Sequence, residues 1–215
     1  MPRAVIPEAI ELTARTEVLV INRKTGMCFP YHGRADAPGV LTIGQGHVIR
    51  LPEEKWMLKG ITRKQALDIF AQDVASHSQY IQKDIGDDVK LNDWVYGALA
   101  SFCFNLGERI LSLGGAYGKP PTVTLLLREG EVNQAMLSIY AFSNADGEYV
   151  DGLFYRRLTE IMLALGHKLV DKPSQCQQAY ALIKQLSKFG SVDAMTTYFQ
   201  KHHVKRLCLW CSKQP

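Results

Sequence analysis

The chain has 215 residues, of which 47% are hydrophobic and 21% charged, with a formal net charge of +4. That apolar fraction supports a buried core and excludes a disordered or collagen-like chain, and no stretch approaches the roughly 18 uninterrupted apolar residues of a membrane span. Five cysteines are too few, and too odd a number, for a disulfide framework.

Pro7 and Glu8 suit the first turn of a helix, and Ile10, Leu12 and Ala14 continue it, which predicts a helix over residues 7–19. The character changes at Val18. Val18 to Ile21, the polar run Asn22 to Gly26, then Met27 to Phe29 read as strand, turn and strand. A further strand is expected over Val40 to Ile43, closed by Gly44 and Gly46, so residues 18–50 read as a small β-sheet.

Everything beyond reads as helix. Thr62 and Gln65 form a capping-box pattern ahead of the stripe Ala66, Ile69, Phe70 and Val74. Asn92 suits the N-cap of a helix with a wide apolar face of Trp94, Val95, Ala98, Leu99 and Phe102, expected to be central and to end at Gly107. Two more helices are predicted over Thr122 to Arg128 and Glu131 to Phe142, a loop from Asn144 to Gly152, and a helix from Leu153 to Leu165. Pro173 then breaks the chain. Residues 171–215 hold seven Lys or Arg against two Asp or Glu and could form two amphipathic helices. A small sheet ahead of a helical body makes the expected class α+β.

The string Asp36-Ala37-Pro38-Gly39-Val40-Leu41-Thr42-Ile43-Gly44-Gln45-Gly46-His47 spans twelve positions and resembles the active-site hairpin of phage-type lysozymes, the endolysin muramidases of glycoside hydrolase family 24. Ser101 to Gly107 (SFCFNLG) resembles that family's "sF.fNlG" at the end of its central helix, and Gly152 to Glu160 (GLFYRRLTE) its "GL..RR..E". The resemblance covers roughly residues 8–166. It implies a lysozyme-like fold with a small N-terminal β lobe and a mainly helical lobe, a domain over residues 1–170, and a basic helical extension over 171–215.

Taken alone, Asp36 is a turn-former before Pro38-Gly39 and Thr42 an ordinary strand residue. In the matching string both acquire the family's catalytic roles. Glycosidic hydrolysis also needs a carboxylic acid that protonates the leaving oxygen. The family places it as the Glu of "fEG.rL.aY", and counting back that distance from Tyr31 lands on Lys24. The next Glu upstream is Glu17, whose segment Ala9 to Glu17 resembles the helix leading to the catalytic Glu; a longer hairpin from Val18 to Tyr31 accounts for the offset. Glu17 is therefore the expected acid, kept protonated by burial against Val18 and Leu19.

The resemblance further implies Tyr31, Asn105 and Gly44 as substrate-binding residues, with His47, Arg156 and Arg157 in support. His47 is expected to order the hairpin by pairing with a helix acid, Asp84 or Asp87. Arg156 either pairs with Glu160, four residues on, or buttresses the catalytic Glu. Cys208-Leu209-Trp210-Cys211 with His202-His203 falls short of a zinc site, because only one CxxC is present; no metal and no cofactor is expected. Cys28, Cys103 and Cys176 read as small apolar core residues.

The implied activity is cleavage of the β-1,4 bond between N-acetylmuramic acid and N-acetylglucosamine. Lys24 motivates one alternative, a peptidoglycan-binding module that does not cut. The other is a lytic transglycosylase, but those relatives dispense with the Asp, and Asp36 is present. The expected partners are peptidoglycan glycan strands, together with a holin for release or a cognate immunity protein, and no nucleic acid or inserted membrane; the protein is expected to be a monomer. Glu8 and Glu11 stand where a secretory signal peptide would be apolar, so synthesis in the cytoplasm and action in the periplasm are expected, as a phage endolysin or an injected antibacterial effector.

Overall fold

The computed structural model describes residues 3–32, 39–114, 120–145 and 148–164. They fall into two compact units, one ending at Pro121 and one beginning at Thr122. Asp36, Cys176, the CxxC pair and the whole basic extension lie outside the described residues.

In the first unit, helix α1 (Pro7–Thr16) opens with Pro7 in its first turn and buries Ala9, Leu12 and Thr13. It stops three residues short of the predicted end. Glu17 is already extended, with φ −107° and ψ 133°.

The segment after it is not the first strand of a hairpin. Leu19 and Ile21 pack into the core while Val18 is 79% exposed, so burial alternates as in a strand, yet no described strand forms there. The expected turn is present: Asn22 Oδ1 accepts from the backbone N–H of Lys24 and Thr25, and Asn22 N donates to Met27 O at 2.8 Å. Strand β1 (Met27–Cys28) instead pairs antiparallel with Ile61–Thr62, far along the chain. Strands β2 (Thr42–Ile43) and β3 (His47–Val48) form the hairpin of the twelve-residue string, with Thr42 opposite Val48.

Ile61–Thr62, here β4, lies where helix alone is expected beyond residue 50. It follows a 3₁₀ turn (Lys55–Lys59), and Gly60 (φ 91°) allows the backbone to pass close beneath the Phe29 ring. Cys28, Ile43, Ile49, Met57, Ile61 and Ala66 make the core under these strands.

Thr62 is also the N-cap of α2 (Arg63–Ser78). Its hydroxyl accepts from Gln65 N, and Gln65 Oε1 accepts from Thr62 N, completing the capping box. After the short α3 (Ile81–Ile85), helix α4 (Asp93–Leu106) starts at Asn92, whose side chain accepts from Val95 N, and ends at Gly107 with φ 101°. Its residues from Val95 to Cys103 are all buried, so it is the central helix of the unit. Trp94 departs from the expected apolar face: it is 38% exposed, because it sits in the first turn before the helix enters the core. Helix α1 crosses α4 at Gly97, where a Cβ would meet Ala9 Cβ at 2.8 Å. Cys28 and Cys103 are buried free thiols, and burial raises the pKa of Cys28 against the opposing charge of Arg63.

The second unit holds α5 (Thr122–Arg128), α6 (Val132–Ser138) with a 3₁₀ turn over Ile139–Phe142, and α7 (Asp151–Ala164). The segment expected to be a loop from Asn144 contains a short hairpin, β5 (Asn144–Ala145) against β6 (Glu148–Tyr149), and α7 begins ahead of Gly152. Among the described residues, no helix is long and apolar enough to cross a membrane.

Candidate active site

The β2–β3 hairpin is the frame of the site. Tyr31 and Thr42 form an antiparallel pair in which each backbone N–H donates to the other's carbonyl at 2.8 Å. One pair beyond, His32 Nδ1 lies 2.9 Å from Val40 O. Tyr31 and Thr42, two expected site residues, are thus joined through their backbones. Thr42 is buried on β2.

The turn between β2 and β3 requires its glycines. Gly44 has φ 65°, and a Cβ there would lie 3.1 Å from Ala66 Cβ on α2, so the turn sits directly on that helix. Gly46 has φ 91° in open space.

Glu17 ends α1 beside this turn. Gln45, between the two glycines, reaches out so that Nε2 donates to Ala14 O at 3.2 Å and to Glu17 O at 3.3 Å. Val20 N donates to Gly44 O at 3.0 Å. The acid expected from sequence and the hairpin bearing Thr42 are therefore tied together across 28 residues or more. Glu17 is half-buried, but exposed Val18 supplies none of the apolar cover expected of it.

His47 does pair with helix carboxylate, though neither Asp84 nor Asp87 is the partner. Its Nδ1 lies 2.8 Å from Asp73 Oδ2 on α2 and its Nε2 3.0 Å from Glu54 Oε2. Asp84 is instead held by Arg109 at 2.8 Å. The reason is register: β3 packs along α2, and Asp73 stands on the turn of α2 that faces it. The Asp73 hydrogen bond raises the His47 pKa above its ordinary value, burial opposing it and Glu54 adding to it. Burial pushes Glu54 up, but hydrogen bonds from Arg50 N and His47 outweigh it and leave the carboxyl below its ordinary value. The imidazole forms part of the wall of an open groove of about 420 Å³, shared with Arg50, Trp56, Gln65 and Asp68.

Asn105 lies in the last turn of α4, partly exposed; Gly107, not Asn105, supplies the cap, its N–H donating to Cys103 O at 2.9 Å. In the second unit Arg156, Arg157 and Glu160 are all buried on α7. Arg156 Nε lies 3.3 Å from Glu160 Oε1, and Arg157 Nε 2.9 Å from Oε2. The ion-pair reading of Arg156 is present, and Arg157 shares the same carboxylate.

Three residues escaped sequence reasoning. Glu54 and Asp73 carry a weak signal, as acids within a turn and on the polar side of the Phe70–Val74 stripe. Gln45 stands between two turn glycines, where a side chain is expected to point to solvent. Among the described residues no group of three or more His, Cys, Asp or Glu is arranged to hold a metal ion.

Similarity to known proteins follows the same lines. The fold is similar to that of the muramidase domain of SpmX from Asticaccaulis excentricus, with a TM-score of 0.57 and 21% identity over 76% of this chain and 99% of that one. It is also similar to the active form of P1 phage endolysin Lyz, with a TM-score of 0.56 and 23% identity over 75% and 85% of the two chains. A third likeness is to the endolysin of Escherichia coli O157:H7 phage FAHEc1, with a TM-score of 0.55 and 21% identity over 76% and 94%. No curated protein sequence matches. The family described as phage lysozyme matches residues 29–160, which include the hairpin, the central helix and the paired arginines. On that match, the chain belongs to the phage lysozyme family.

Proposed function

We propose that Glu17 is the general acid of a muramidase, protonating the glycosidic oxygen between N-acetylmuramic acid and N-acetylglucosamine. Asp36 and Thr42 act from the other side of the scissile bond, orienting the water that attacks the sugar carbon as oxocarbenium character develops. Family membership makes the chain a peptidoglycan hydrolase of the lysozyme class, with glycan strands as substrate. The observation that carries the assignment of Glu17 is the pair of hydrogen bonds from Gln45 to the end of α1, which join that residue to the hairpin of the family motif. Tyr31, Gly44 and Asn105 line the glycan path. The domain ends near residue 170, and the basic extension over 171–215 assists at the anionic cell wall. Action in the periplasm, reached through a holin or an injecting secretion machine with a cognate immunity protein, completes the reading.

The test is turbidity loss of purified cell walls with Glu17→Gln, Asp36→Asn and wild type in parallel. Loss of lysis in both variants, with wall binding retained, supports the assignment. A Glu17→Gln protein that lyses walls at the wild-type rate overturns it.

A further inference from the structure

We propose that Gln45 is a positioning residue for bond cleavage, holding the backbone of Glu17 against the hairpin that carries Thr42. The inference rests on Glu17 being the acid.

The last carbonyls of a helix have no partner within it, and a glycine in the left-handed conformation commonly satisfies them. Helix α1 has no such glycine: Glu17 follows it directly in extended conformation. The side chain of Gln45 takes that place from another part of the chain, donating to Ala14 O and Glu17 O. It is 5% exposed, and its Oε1 is buried with no hydrogen-bond partner among the described residues. Turning the amide over would set that oxygen against two carbonyl oxygens, so the donors alone fix the orientation. A leucine or methionine would fill the same space without leaving a buried oxygen unsatisfied. What Gln45 adds over them is two hydrogen bonds that bracket the acid, with Val20 N on Gly44 O as the second tie. Thr42 stands three residues before Gln45 on the same short hairpin. The amide thus sets where the acid stands relative to the residue across the scissile bond.

Catalytic geometry is sensitive to displacement, and a shift of about 1 Å can cost on the order of 100-fold in rate. Gln45→Met keeps the volume and removes both donors. On soluble glycan-strand fragments we expect kcat to fall by about 10- to 100-fold with KM little changed. Thr62→Ala, which removes the capping box of α2 and leaves Gln45 and its two acceptors in place, serves as a control for stability: its kcat should stay at the wild-type level while its Tm falls. Gln45→Glu is the second arm and covers a Gln45→Met protein that does not fold. Its carboxylate faces two carbonyl oxygens and its protonated form restores one donor, so its kcat relative to wild type should recover on acidification.

A folded Gln45→Met protein with wild-type kcat, or a Gln45→Glu ratio that does not change with pH, overturns the positioning role. If Glu17→Gln is inactive in the same assays, that failure belongs to Gln45 alone. If Glu17→Gln is fully active, both readings fall together.

Discussion

His47 and Asp73 are joined at 2.8 Å between Nδ1 and Oδ2, and because Nε2 faces Glu54 at 3.0 Å, the ring has a carboxylate on each side. Both nitrogens then donate, which favours the imidazolium. A histidine whose pKa is raised by folding contributes stability that is fully present below its unfolded pKa and is lost as pH rises through the folded one. Glu54, lowered by folding, contributes above its unfolded pKa and loses that contribution as pH falls through the folded one. The cluster should therefore contribute most between the unfolded pKa of Glu54 and the unfolded pKa of His47, and less as pH passes the folded value of either. His47→Asn should cost about 1.5–3 kcal/mol inside that window and less above it. Urea unfolding of both proteins across pH measures this, and a difference independent of pH would contradict the ion cluster.

Removal of the proposed catalytic groups should separate chemistry from folding. General acid catalysis is worth about 10²–10⁴-fold, so Glu17→Gln should lose at least about 10²-fold in kcat while its Tm stays close to wild type, the side chain being half-buried at a helix end. Thr42→Val keeps the buried shape on β2 and removes only the hydroxyl. It should lower kcat and leave the Tyr31 pair intact, since that pair uses backbone groups alone. Thermal unfolding and initial rates on soluble glycan fragments, taken on the same preparations, check both. A Thr42→Val enzyme with unchanged kcat would remove the hydroxyl from the mechanism.

Sequence reasoning reached the local features whose physics is local. The Thr62–Gln65 capping box, the Asn92 cap and the Gly107 terminus depend on a few neighbouring residues, and each is present. So are the buried face of α4 from Val95 onward and the turn at Asn22. Failures occurred where a partner distant in sequence decides the outcome. Met27–Cys28 was expected to pair with Val18–Ile21 nearby, and pairs with Ile61–Thr62 instead. Two-residue strands such as β4 leave no periodic signal to read. The expected His47 partners are Asp84 and Asp87, but the packing of β3 on α2 selects Asp73. Gln45 illustrates the same limit, since its role depends on the end of a helix 28 residues upstream.

The two hairpin glycines should differ in a measurable way. Both have positive φ, so alanine at either adopts a strained backbone costing about 1–2 kcal/mol. At Gly46 that is the whole effect, because an added Cβ meets nothing within 4 Å. At Gly44 the Cβ would come within 3.1 Å of Ala66 Cβ, a main-chain-fixed atom on α2 that cannot rotate away. Gly44→Ala should therefore be the more destabilised of the two and also lose activity, as the turn lifts from α2 and carries Gln45 with it. Denaturant midpoints for the pair decide the point; equal losses would mean that the contact with Ala66 is not felt.

Gly97→Ala sets two effects of opposite sign against each other. In a helix interior, alanine is favoured over glycine by about 1 kcal/mol, and Gly97 lies mid-way along α4 with ordinary helical backbone. On propensity alone the substitution stabilises. Its Cβ, however, would stand 2.8 Å from Ala9 Cβ and 3.0 Å from Ile6 Cγ1, at the crossing of α1 over α4. Neither helix can bend a side chain aside there, since the Ala9 methyl is fixed to its backbone. Forcing a methyl into a closed packing contact costs typically about 1–3 kcal/mol, which exceeds the gain at most of that range, so the net effect should be destabilising. Because α1 ends at Glu17, displacement of α1 should also lower kcat, whereas the same stability loss from Thr62→Ala should not. Equilibrium unfolding and turnover of the two variants measured side by side test this, and a Gly97→Ala protein more stable than wild type would show that the helices do not meet at Gly97.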